Sequence, residues 1–95
     1  MNSIFNFMTK TPGEIDMLIA QRIRAIRKRR KISQKRLSEK SGVSLGSVKR
    51  FEQSGEISLI SLTKIAIALE IESELENLFK EVPFLSIEEI INGQD

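Results

Sequence analysis

Ninety-five residues, 40% of them hydrophobic, suit one small domain whose core is modest enough that a second copy or a bound partner is expected to add stability. The lack of cysteine excludes a disulfide framework and thiolate metal sites. No stretch approaches the roughly 18 consecutive apolar residues that cross a bilayer, so no membrane role is expected.

The net charge of +2 hides a strong asymmetry. Residues 21–50 carry twelve cations against the single anion Glu39, whereas residues 52–95 carry Lys64 and Lys80 against ten acids. A basic block this dense is the electrostatic footprint expected of a nucleic-acid partner, and the acidic half points to a different contact. The opening MNSIFNFMTK has one cation and no long apolar run. It is a poor secretory signal, so residues 1–10 read as a flexible tail and the chain as cytoplasmic.

The first helix opens at Thr11, which caps it, with Pro12 at the first helical position and Glu14 completing a capping box. Ile15, Leu18, Ile19, Ile23 and Ile26 recur three or four apart and form one apolar stripe, carrying the helix to about Arg30. Its basic end, Arg27 to Lys31, suits the negative pole of the helix dipole. Ser33 caps a second helix over QKRLSEKS, anchored by Leu37 and closed by Gly42 as a left-handed residue. Ser44 caps a third, through Gln53, with Val48 and Phe51 pointing inward and Gly55 ending it. Ser58 caps the fourth, whose expected buried face is Leu59, Leu62, Ile65, Ala66 and Leu69. The fifth, ESELENLF, carries a capping box in Ser73 and Glu76 and is expected to bury Leu75, Leu78 and Phe79. After Pro83, Ser86 and Glu89 make a third capping box. A helix that short needs Ile87, Ile90 and Ile91 packed on the domain, a twin subunit or another protein. No segment reads as a strand. The predicted fold is all-α, with five helices over 11–80 and a short helical segment, 81–95, for dimer or partner contact.

The residues Ser41-Gly42-Val43-Ser44 join two short helices by a tight turn containing glycine. With the second helix presented outward, this is the plan of a helix-turn-helix over 33–53. Leu37, Val43, Val48 and Phe51 fix the crossing from inside, and Ser44, Leu45, Gly46, Ser47, Lys49 and Arg50 face out. Gly46 in the first turn costs about 1 kcal/mol relative to alanine, a cost that fits a helix start which must approach a partner closely.

Residues 18–80 resemble the helix-turn-helix domain of phage Cro and repressor proteins, the XRE family. The resemblance rests on S-Q-x-x-L-S-E-x-S-G-V-S at 33–44, V-x-x-F-E at 48–52, and L-x-x-L-x-K-I-A-x-A-L at 59–69. It implies a lambda-repressor-like DNA-binding domain and a transcriptional regulator, a repressor that binds a palindromic operator of double-stranded DNA as a homodimer. It implies that Gln34 grips a phosphate with Ser33 and Lys35 beside it, and that Ser44, Leu45, Gly46 and Arg50 meet base edges in the major groove. Ser47 and Lys49 would flank them on the DNA backbone. Arg27 and Glu52 match a structural ion pair that orients the helices. Two departures from the family pattern stand out. Arg36 occupies the place of a capping-box glutamate, and Glu56 stands where relatives often carry a cation, so it would repel phosphate unless turned away.

The run S-L-G-S-V-K-R-F-E-Q-S-G-E-I-S-L is also similar to regulators that accompany HipA-like toxin kinases. On that resemblance the alternative function is an antitoxin that binds its toxin and represses its own operon. An enzyme is not expected, nor a cofactor or metal. The chain has no His, Cys or Tyr and no phosphate-binding glycine loop, and its aspartates are Asp16 and Asp95. The glutamates at 70, 72, 74 and 76 read as solvated charge favouring a helix start.

Overall fold

The computed structural model describes residues 9–81. Among them lie five helices and no strand: α1 (Pro12–Arg29), α2 (Gln34–Ser41), α3 (Leu45–Ser54), α4 (Leu59–Ala68) and α5 (Glu72–Glu76). The segment with Ser86, Ile87, Glu89, Ile90 and Ile91, and most of the N-terminal tail, lie outside the described residues.

Local chemistry sets most of the boundaries. The Thr11 hydroxyl accepts from the Glu14 amide at 3.1 Å and the Glu14 carboxylate accepts from the Thr11 amide at 2.9 Å, closing the expected capping box. Ser33, Ser44 and Ser58 cap α2, α3 and α4 in the same way, each accepting from the amide three residues on. Gly42 and Gly55 end α2 and α3 with φ of 75° and 82°, the left-handed region that glycine enters without a Cβ penalty. Two other helices end on left-handed residues that are not glycine, Lys31 and Glu70. In each case the next residue is an isoleucine whose amide reaches back, Ile32 to the Arg27 carbonyl at 3.1 Å and Ile71 to the Ala66 carbonyl at 2.9 Å. Ile32 and Ile71 pack against the core, so apolar contact offsets the backbone cost of about 1–2 kcal/mol at each site.

The core is small and central: Phe51, Leu37, Ile65, Leu69 and Val48 are fully buried, with Ala20, Ile23, Val43 and Ala66 around them. Helix α3 lies against both α1 and α2, α2 reaches α4, and α4 carries α5. On three helices the structure departs from the sequence pattern. On α1 the inward face turns on Ala20, small enough to let a neighbouring helix close in, while Ile15 and Ile19 are exposed. On α4, Leu59 is 72% exposed because it stands nearly two turns before Ile65 and Ala66, the buried residues of the helix. On α5 the Ser73–Glu76 capping box does not form. The anchored Ile71 becomes the cap residue and pulls the helix start forward to Glu72, and the helix ends at Glu76. Leu75 is half-buried, but Leu78 is exposed and Phe79, left-handed at φ 58°, is 87% exposed.

Candidate nucleic-acid interface

A set of short-range hydrogen bonds holds the turn between α2 and α3. The Ser38 hydroxyl donates to the Val43 carbonyl at 2.6 Å, the Val43 amide to the Ser41 hydroxyl at 3.1 Å, and the Gly42 amide to the Ser38 carbonyl at 2.9 Å. Val43 is buried between the helices, so the turn is pinned by packing as well. Helix α3 therefore leaves the turn at a fixed angle, with Val48, Phe51 and Glu52 inward.

The opposite face is open. Ser44, Gly46, Ser47, Lys49 and Arg50 are exposed, and Leu45 is half-buried, with part of its surface turned to the domain. A Cβ placed on Gly46 would meet no atom of the protein within 4 Å, so no neighbour in the fold demands glycine there. The Ser44 hydroxyl accepts from the Ser47 amide at 3.1 Å and donates to the Ser47 hydroxyl at 2.8 Å.

Behind the exposed face sits a polar network that crosses three helices. Arg27 donates from Nε to Glu52 Oε2 at 2.7 Å and from Nη2 to Glu52 Oε1 at 2.8 Å, and its Nη1 donates to the Ile32 carbonyl at 2.8 Å. Gln34 Nε2 donates to Glu52 Oε1 at 3.0 Å, and Arg24 Nε lies 3.7 Å from the same oxygen. Burial pushes the Glu52 carboxyl up. The hydrogen bonds from Arg27 and Gln34 and the charges of Arg27 and Arg24 outweigh that and hold it below the usual carboxylate range. The expected ion pair is thus formed and extended.

Gln34 departs from the sequence expectation in one respect. Its amide is already committed to Glu52 in the free protein, leaving one N–H for another acceptor. It lines an open hollow of about 350 Å³ with Arg24, Lys49, Glu52 and Gln53. No motif or spacing in the sequence marks Arg24. Only its place one turn before Arg27, on the same helix face, signals that it reaches this hollow. Ser33 and Lys35 are exposed at the start of α2, and the Arg36 side chain pairs with Glu39 at 3.4 Å. Glu56 is paired with Arg50, Nε donating to Oε2 at 2.8 Å. No cluster of three or more His, Cys, Asp or Glu side chains among the described residues is placed to share a metal ion.

A family model for the helix-turn-helix domain matches residues 23–75, which is more than half of the chain. The chain belongs to the XRE-type helix-turn-helix family. It is a DNA-binding transcription regulator, and the pinned turn, the buried Val48 and Phe51 and the outward face of α3 are how this sequence builds the family's motif. No curated protein and no solved structure matches the chain. Among the described residues no helix is long and apolar enough to cross a membrane.

Proposed function

We propose that this helix-turn-helix protein is a cytoplasmic, sequence-specific repressor that binds a palindromic operator as a homodimer, with the N-terminal half of α3 in the major groove. The observation that carries the reading is the open first turn of α3, where glycine at position 46 answers to nothing within the fold. Ser44, Leu45, Gly46 and Arg50 are the base-reading set. Arg50 is the reader of guanine, since its planar fork matches the O6 and N7 acceptors, a contact that discriminates by about 1–3 kcal/mol. Ser33, Gln34, Lys35, Ser47 and Lys49 hold the DNA backbone. Arg24 joins them, because it and Lys49 bring two cations to the rim of the hollow beside Gln34. The residues of Glu81 and beyond, with α5, supply the dimer seam.

Selection from a random duplex pool tests this reading. The expected product is a palindrome whose half-sites lie about 34 Å apart, one turn of DNA. Arg50→Ala is expected to relax one base position in each half-site. Recovery of no common sequence would contradict it.

A second reading, an antitoxin that binds a toxin kinase and represses its own operon, draws on the apolar side chains that α4 and the segment after α5 leave open. Leu59, Ile60, Ile67, Leu78 and Phe79 are all exposed and would be covered by a bound partner. A neighbouring reading frame encoding a kinase-like protein that co-purifies with this chain would favour it. A homodimer that buries these residues by itself would remove its support.

A further inference from the structure

Arg50 and Glu56 form an ion pair that the DNA-reading scheme leaves unused. Arg50 Nε donates to Glu56 Oε2 at 2.8 Å, and Arg50 Nη2 lies 2.7 Å from the same oxygen. Both side chains are largely exposed, at 71% and 63%, so the pair contributes little to folding.

Its geometry is nevertheless set by the backbone. Gly55 turns the chain back at φ 82°, and a Cβ there would come within 2.9 Å of the Asp16 and Met17 backbone. The bend between residues 54 and 56 is therefore pressed against α1. The Ser54 hydroxyl donates to the Arg50 carbonyl at 2.6 Å and accepts from the Glu56 amide at 3.2 Å. This bridge ties the backbone that carries the acid to the backbone that carries the arginine.

One carboxylate oxygen takes the Nε–H and lies 2.7 Å from Nη2 on the same edge of the guanidinium. The outer edge of the guanidinium, Nη1 with the second Nη2 hydrogen, stays free. That edge carries two donors side by side, as guanine O6 and N7 require. An arginine on its own carries large rotamer freedom, and adenine N7 and thymine O4 each offer it a single acceptor. Fixing its plane in advance raises the discrimination of the one contact that fits.

We propose that Glu56 is a positioning residue for Arg50, holding the guanidinium by its inner edge so that the outer edge selects a single base. The proposal rests on the reading of Arg50 as a base contact. Glu56 also adds negative charge beside the DNA, so it is expected to weaken binding to unrelated sequence while sharpening choice.

The test is a duplex panel varied at the base position that Arg50 selects, bound by wild type, Glu56→Ala, Arg50→Ala and the double variant, with thermal melting to verify folding. Glu56→Ala is expected to cut preference at that position about two- to fivefold, the range of an exposed ion pair, while binding unrelated duplex at least as tightly. In the Arg50→Ala background the same substitution is expected to leave preference unchanged. Glu56→Gln, which keeps the side chain's shape, is the second variant and is expected to show a loss of the same sign. Unaltered preference in Glu56→Ala and Glu56→Gln, where Arg50→Ala abolishes it, would overturn the positioning role alone. Unaltered preference in Arg50→Ala would overturn the base-reading role of Arg50, and the proposal with it.

Discussion

Arg27 and Glu52 meet in a two-pronged pair, at 2.7 and 2.8 Å, that joins the C-terminal turn of α1 to the inner face of α3. Both side chains are almost wholly buried, at 8% and 4% exposure, and the third donor of Arg27 is spent on the Ile32 carbonyl. Desolvation of two charges offsets much of their attraction, so the pair is better understood as setting the angle of α3 than as a large source of stability.

Removing one partner is a different matter, because it strands the other charge inside. Arg27→Ala is expected to lose about 3–5 kcal/mol in urea unfolding. Replacing both residues by apolar ones of similar size, Arg27→Met with Glu52→Leu, is expected to lose much less. A single variant as stable as wild type would show that the pair is not closed in solution.

The pH dependence follows from Glu52. Its carboxyl is held below its ordinary value in the folded chain, so its contribution is fully present above the unfolded carboxylate pKa. It is lost as pH falls through the depressed folded value. Stability is expected to fall on acidification below the ordinary carboxylate range, and the Arg27→Met, Glu52→Leu double variant is expected to fall less steeply. Parallel curves for the two proteins would contradict the assignment.

Charge and hydrogen bonding at the DNA backbone separate in a salt titration. Lys35→Ala and Lys49→Ala are each expected to weaken binding to all duplexes alike and to reduce the slope of log K against log salt by about 1. Gln34→Ala, which removes a neutral amide, is expected to weaken binding with the slope unchanged. Anisotropy of a labelled duplex across a salt series measures both quantities. A slope unaffected by either lysine would place them away from phosphate.

Much of this was legible in the sequence because caps are local. Ser33, Ser44, Ser58, Gly42 and Gly55 act within four residues of themselves, and each stands where its type predicted. The left-handed ends at Lys31 and Glu70 were not legible, because what holds them is the burial of Ile32 and Ile71, a tertiary event. The same holds for α5, where anchorage of Ile71 overrode a sound capping box at Ser73. At the interface, the outward set on α3 followed from helical spacing. The partners of Gln34 and Arg50 did not, since Glu52 is 18 residues from the first and Glu56 lies beyond a helix end.

The insertion of the first turn of α3 into duplex DNA is tested most directly at Gly46. An added methyl meets nothing in the free protein, so Gly46→Ala is expected to raise unfolding stability by up to about 1 kcal/mol through helix propensity. The same methyl is expected to hold the helix off the groove floor and weaken binding to the selected duplex at least tenfold, so that stability and affinity move in opposite directions. A Gly46→Ala protein that is more stable and binds the duplex as tightly as wild type would contradict the account.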